Sequence, residues 1–386
     1  MIPYGRQDIS EEDIEAVVGV LRGENLTQGA KVPEFEKLVS QYAGSEHAIA
    51  VNSATSALHL SYLALGISAT SLVWTTPITF VATANAALMC GADVDFVDID
   101  PATFNMCPLA LQEKLETAKK LGRVPDLVVP VHLAGQSCDM RVIFELSKIY
   151  GFRIVEDASH AIGGRYLDRP VGSCDFSDCT VFSFHPVKII TTGEGGMVLT
   201  NKPELAHRMA LLRSHGITRR PDEMTQISDG PWYYQQQFLG FNYRMTDIQA
   251  ALGISQLKRL DEFISSRNKI AAKYNKSFSG TGIKTQSQSE GTISSHHLFI
   301  VRLEKKLRKE TFCKLRDSGV GVNLHYIPIY RHPFYQLRGY LAKDFPQAEK
   351  YYNEAFSLPI FPTLTGADQS FVVQRLLSPP GHQTLF

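Results

Sequence analysis

The 386-residue chain predicts an α/β architecture, with a large domain on a largely parallel sheet followed by a smaller α+β domain. Two observations carry this. Short apolar runs at 48–51, 72–74, 94–97, 127–131 and 153–155 alternate with helix-like stretches such as 108–121 and 140–150. Parallel strands need such helical crossovers between them. Beyond about Lys276 the composition turns to a polar Gly/Ser/Gln stretch, then a strand near 297–303, a helix near 306–317 and a strand near 320–325. The length supports the division, being too great for one ordinary core. We divide the chain into 1–245, with N-terminal helices leading into the large domain, and 246–386, with a linking helix and the small domain.

The elements follow in order. Ser10 is an N-cap with Asp13 three residues on, and Ile14, Val17, Val18 and Leu21 recur at helical spacing until Gly23. Phe35, Leu38, Val39 and Tyr42 give a second helix its apolar face, and Gly44 stops it. The strand at 48–51 runs into Asn52-Ser53-Ala54-Thr55 and a helix through Leu58 and Leu65 to Gly66. The runs at 181–184 and 197–200 flank Lys188, so a two-strand hairpin or a bulged edge would set that lysine on the connection. Thr246 and Gln249 form a capping box that opens a long helix, with Leu257, Leu260 and Ile264 on one face.

Charge and cysteine usage narrow the function. Lys plus Arg equals Asp plus Glu at 39 each, so no net field draws in nucleic acid or an anionic membrane, and a small-molecule substrate is favoured. Six scattered cysteines with no Cys-x-x-Cys pair read as reduced thiols of a cytoplasmic protein. Neither an export signal nor a membrane-spanning run is apparent. His296-His297 and Cys174/Cys179 lack a metal-ligand pattern and read as structural.

Three positions point to chemistry. Lys188 follows Ser183-Phe184-His185-Pro186-Val187 and precedes the glycine-rich 191–196. A lone lysine is ordinarily a solvated surface group; aromatic and small neighbours would strip water from this one and make its amine a nucleophile. Ser53, Ala54 and Thr55 stand where a strand becomes a helix, a place for a phosphate or simply an N-cap. Asp157 closes the strand Arg153 to Asp157, where a carboxylate could hold a heteroaromatic nitrogen protonated or merely cap the next segment. Together a phosphate cradle, a nitrogen-pairing aspartate and a Schiff-base lysine match the demands of pyridoxal phosphate.

The segments Leu26-Thr27-Gln28-Gly29, 52–58 (NSATSAL), 156–161 (EDASHA) and 240–245 (GFNYRM) stand in one order along the chain. In that order the whole chain resembles the DegT/DnrJ/EryC1/StrS sugar aminotransferases, fold-type I pyridoxal-phosphate enzymes that convert keto-sugar nucleotides to amino sugars. The resemblance implies a seven-stranded, mostly parallel sheet in the large domain. It implies that Lys188 forms the Schiff base and moves protons, that Asp157 pairs the pyridine nitrogen, and that Ala54, Thr55 and Ser183 contact the phosphate. Many members carry glutamine where this chain has His160, which the likeness places beside Asp157 as a third catalytic position. Phe80 is the candidate for stacking on the ring, although a phenylalanine beside a strand is as often core packing. Asn242 would reach the cofactor phosphate of a partner subunit in a homodimer with shared sites.

For the substrate, the resemblance points to Tyr4, to Glu24, Asn25, Leu26 and Thr27, and to His325, Tyr326, Ile327 and Pro328. The segments 323–328 and 331–335 are most like members that aminate C4 of a UDP-linked 4-keto-6-deoxy N-acetyl hexose with L-glutamate as donor, pyridoxamine phosphate carrying the amino group between half-reactions. A dTDP- or GDP-linked keto sugar is the alternative within the family. A non-catalytic cofactor- or sugar-binding protein is the alternative outside it. Dehydratases of the same fold replace the lysine by histidine, so Lys188 favours transamination. A Schiff-base aldolase on a (β/α)8 barrel fits poorly with the mixed C-terminal segment.

Overall fold

The computed structural model describes residues 1–378. Its centre is a seven-stranded sheet of β1 (His47–Val51), β2 (Leu72–Thr75), β3 (Asp93–Phe96), β4 (Leu127–Val129), β5 (Arg153–Asp157), β6 (Cys179–Ser183) and β7 (Gly196–Thr200), in the spatial order β1-β7-β6-β5-β4-β2-β3. Only β7 runs against the others, pairing antiparallel with β1 and β6. This is the mostly parallel fold-type I sheet that the resemblance implied. The alternation along each strand feeds two layers: Val73 and Val129 point into one core, Trp74 and Val128 into the other.

Helices cover both faces. α3 (Ala54–Ala64) is buried along most of its length against the sheet, and α4 (Ala82–Met89) and α7 (Pro203–Arg213) lie on the same side. α5 (Pro108–Lys120) and α6 (Met140–Tyr150) cover the other. At the β1 end, α1 (Glu11–Leu21) and α2 (Lys31–Ala43) precede the sheet in the chain. Ser10 caps α1 in a full capping box with Asp13. Phe35 and Val39 of α2 are completely buried, each stabilising the fold by roughly 1.5–3 kcal/mol. Gly44 ends α2 at φ 74°, a conformation that favours glycine.

The helix expected to run on from residue 246 is two helices, α8 (Asp247–Leu257) and α9 (Leu260–Phe278). The capping box of Thr246 and Gln249 opens α8 as the sequence suggests. Between the helices Arg259 leaves helical geometry (φ −101°, ψ 4°) while its guanidinium bonds Asp13 at 2.6 Å. α9 begins among the large-domain side chains with Leu260 and Phe263 and ends in a separate core with Ile270, Ala271, Tyr274 and Phe278.

That second core lies under an antiparallel sheet of Lys284–Thr285, Phe299–Arg302 and Ala355–Leu358, flanked by helices Lys305–Asp317 and Gly366–Leu377. The strand expected at 320–325 is not formed. Val320 makes an isolated bridge to Ile2 and Asn323 one to Ser357, because the N-terminal segment crosses here: Gly321 N donates to Ile2 O at 2.7 Å. That crossing brings Tyr4 to His325, ring centroids 5.2 Å apart.

Candidate active site

The carboxyl ends of β1, β2, β5 and β6 converge on one cavity of about 1010 Å³, as expected for an open α/β sheet. Its wall includes Tyr4, Ala54, Thr55, Phe80, Asp157, His160, Ser183, Lys188, His325 and Tyr326 among the candidates of the sequence. Lys188 sits on the β6–β7 connection, the hairpin position expected for it. Protein atoms crowding its amine push its pKa down to about 8, Asp157 partly offsetting the effect.

Asp157 is 5% exposed and fully engaged on its protein side. Its Oδ2 accepts from Thr83 Oγ1 at 2.7 Å, and Oδ1 accepts from Ser159 Oγ at 2.6 Å and from Ser159 N at 3.2 Å. Thr79 Oγ1 lies 2.8 Å from Thr83 Oγ1 and extends the row. These hydroxyls fix the position of the carboxylate. The sequence reading missed Thr83 and Ser159. Ser159 stood two residues from Asp157, but Thr83 reaches it only through the packing of α4 on the sheet.

Ser53 caps α3, its Oγ accepting from Ser56 N at 3.1 Å. The first helical bond is Ala57 N to Ser53 O at 3.0 Å, which leaves the amides of Ala54 and Thr55 ahead of the intrahelical ladder and available to an anion. Ser183 is paired with Gly196 across β6–β7. A Cβ on Gly196 would stand 2.5 Å from Ala54 N, so the hairpin and the helix start can approach this closely only with glycine there.

Four histidines line the cavity, and three of them, His160, His297 and His325, are kept neutral by burial and by Lys188 or other cationic neighbours. His325 is pushed down to about 3; its Nε2 lies 3.4 Å from Asn323 Nδ2 and its Nδ1 is 2.9 Å from Ser357 Oγ. His160 Nδ1 accepts from Ala134 N at 3.3 Å, so its proton lies on Nε2 and is donated to Tyr326 Oη at 3.0 Å. Burial holds the Tyr326 phenol well above its ordinary pKa, so its own O–H stays available as a donor. Phe80 is 58% exposed at the mouth, 6.0 Å from the Tyr326 ring.

Glu24, Asn25, Leu26, Thr27, Asn242, Ile327 and Pro328 lie outside this cavity. The 24–27 segment is exposed and tied to α8: Asp247 N donates to Leu26 O at 3.0 Å, and the buried Asp247 carboxylate accepts from Gly29 N and Lys31 N, both at 2.7 Å. Asn242 is exposed and bridges Ser214. All six cysteines are free thiols, and no cluster of three or more His, Cys, Asp or Glu able to hold a metal occurs among the described residues. No helix among the described residues is long and apolar enough to cross a membrane.

The sequence profile of the DegT/DnrJ/EryC1/StrS aminotransferase family matches residues 7–377. The chain belongs to that family. Among DegT/DnrJ/EryC1/StrS relatives it is 40% identical over 385 residues to a UDP-4-amino-4,6-dideoxy-N-acetyl-beta-L-altrosamine transaminase of Campylobacter jejuni, covering 98% of this chain and 97% of the relative. Helicobacter pylori PseC, an aminotransferase involved in the biosynthesis of pseudoaminic acid, superposes with a TM-score of 0.88 at 32% identity over 97% of this chain and 98% of that one. The PLP form of Spr1654 from Streptococcus pneumoniae gives 0.87 at 28% identity, over 97% of each chain.

The protein is therefore a pyridoxal-phosphate-dependent sugar aminotransferase. The residues present fit that cofactor on structural grounds. A depressed lysine, a carboxylate bracketed by hydroxyl donors and a helix start closed against a glycine supply an amine, a nitrogen partner and a phosphate cradle around one cavity.

Proposed function

We propose that the protein transfers the amino group of L-glutamate to C4 of a UDP-linked 4-keto-6-deoxy N-acetyl hexose, giving UDP-4-amino-4,6-dideoxy-N-acetyl-β-L-altrosamine. The observation that carries this reading is the 40% identity, over nearly the whole of both chains, to the transaminase named for that product. Mass analysis of the product from UDP-, dTDP- and GDP-linked 4-keto-6-deoxy sugars tests it. Amination of the UDP N-acetyl sugar alone is expected; preference for a dTDP or GDP sugar contradicts the substrate assignment while leaving the chemistry in place.

In this reading Ala54, Thr55 and Ser183 bind the cofactor phosphate, with the α3 N-terminus adding its partial positive charge. Asp157, held in place by Thr83 and Ser159, would accept the hydrogen bond of a protonated ring nitrogen. When bound, pyridoxal phosphate supplies a conjugated electron sink for the bond breaking at the amino-bearing carbon. Lys188 would hold the cofactor through its Nζ, and the same Nζ would carry the proton that moves in each half-reaction. A pKa near 8 suits that task, since the amine can both take and give a proton close to neutral pH. Tyr4, His325 and Tyr326 orient the sugar nucleotide, Tyr326 with a hydroxyl whose direction His160 sets. Ile327 and Pro328 follow them on the same segment.

We further place the enzyme in the cytoplasm, which keeps such thiols reduced, and read it as a homodimer with shared sites. Ile227, Trp232 and Leu239 are 96%, 69% and 77% exposed on the segment that leads to Asn242, an apolar display that a partner subunit would cover. Asn242 would then serve the partner's phosphate site, and the exposed Glu24–Thr27 segment the nucleotide sugar across the same interface. Mixing Lys188→Ala and Asn242→Ala subunits is expected to restore activity that neither has alone, toward about a quarter of wild type for random symmetric pairing with one intact site per mixed dimer. No recovery after subunit exchange contradicts the shared site.

A further inference from the structure

We infer that His297 is the contact for the amino donor's carboxylate, held in the field of the buried Arg267 guanidinium behind it. This rests on the transaminase reading and deepens it. His297 is 4% exposed, lines the cavity, and packs its ring 4.4 Å from that of His160. Its Nδ1 is buried with no hydrogen-bond partner. Native proteins seldom leave a buried polar atom so without a functional reason.

Of the other histidines of the cavity, His185 is exposed and two are already committed. His160 is bonded to Ala134 and Tyr326, and His325 to Ser357 and Asn323. An orphaned lone pair is tolerated better than an orphaned N–H, so the proton of neutral His297 belongs on Nε2. That nitrogen is the one left to the cavity, as a donor.

Charge selects the ligand. Arg267, on α9, is 1% exposed and makes no ion pair among the described residues; its Nη1 donates to the backbone oxygens of His296, His297 and Ile360 at 3.2, 3.4 and 3.0 Å. Burial lowers its pKa only to about 10, so it stays charged at neutral pH. An uncompensated cation in a poorly screened interior attracts an anion and does nothing comparable for a sugar hydroxyl. No arginine lines the cavity formed by the described residues, and its one lysine is Lys188, which the cofactor engages. The donor brings a carboxylate next to the reacting carbon, and His297 backed by Arg267 is the position built to receive it.

Calorimetric titration of the pyridoxal-phosphate-loaded enzyme with 2-oxoglutarate, the deaminated form of glutamate, reads the contact without turnover. UDP-N-acetylglucosamine serves as the nucleotide-sugar probe. His297→Phe is expected to weaken 2-oxoglutarate by about tenfold or more, the loss of a hydrogen bond to a charged group, and to leave the UDP-sugar affinity unchanged. His297→Asn, which keeps an N–H donor, should recover part of the loss. Unchanged 2-oxoglutarate affinity in both variants, loss confined to the UDP sugar, or equal loss of both ligands overturns the assignment. Wild-type holoenzyme that does not bind 2-oxoglutarate refutes the glutamate-donor reading itself, and the His297 contact with it.

Discussion

Lys188→Ala is expected to lower turnover by about 10⁴-fold or more, because one side chain supplies both the nucleophilic amine and the proton carrier. The cofactor should still bind through the α3 start and Ser183, but without the yellow band of the lysine-bound form. The same amine gives a pH signature. In the apoprotein Lys188 is protonated below its pKa of about 8 and free above it, so borohydride-trapped labelling by pyridoxal phosphate should rise through a midpoint near pH 8. An ordinary lysine would give a midpoint more than two units higher. Stability follows the same sign: the unfolded chain holds the proton to higher pH than the folded one, so stability gains from this group as pH rises from about 8 toward the ordinary lysine value. Normal turnover by Lys188→Ala would remove the residue from the chemistry.

Asp157→Asn is expected to cost roughly 10²–10³ in turnover, the usual effect of removing one preorganised electrostatic partner. The substitution keeps the shape. The new amide can accept from Ser159, while Thr83 can turn its hydroxyl to Phe80 O, already 3.2 Å away. What is lost is the negative charge that favours a protonated ring nitrogen. A steady-state comparison, with cofactor affinity measured alongside, checks this. An Asn variant at wild-type rate would contradict the role.

The parts of this molecule carried by local pattern were readable in the sequence. The capping boxes at Ser10/Asp13 and Thr246/Gln249 formed as their spacing required, and the apolar runs on either side of Lys188 paired into the hairpin that presents it. What depends on distant partners was not readable. Val320 and Val322 have the alternation of a strand and are buried like one, yet the N-terminal Ile2 takes the pairing at Val320. The break at Arg259 answers to Asp13, far away in sequence. Thr83 looks like an ordinary helix-start threonine until α4 delivers it to Asp157.

The site divides the same way. Tyr4 and His325 sit at opposite ends of the chain and meet only because residues 1–4 cross the 319–321 turn. The pair His296-His297 lacked a metal pattern and read as structural, and no metal-holding cluster occurs among the described residues. Its place beside His160, and the orphaned Nδ1, are visible only in three dimensions. The Glu24–Thr27 segment and Asn242, which the family likeness placed at the site, lie outside the cavity of a single chain. That separation is what the proposed shared-site dimer would bridge.

The most direct test of the central claim is the visible spectrum of the pyridoxal-phosphate-loaded protein through one full cycle. L-Glutamate should bleach the yellow band, and a UDP-linked 4-keto-6-deoxy N-acetyl sugar added after removal of free glutamate should restore it. A band indifferent to glutamate, or one that bleaches but is not restored by any keto sugar, would contradict the account.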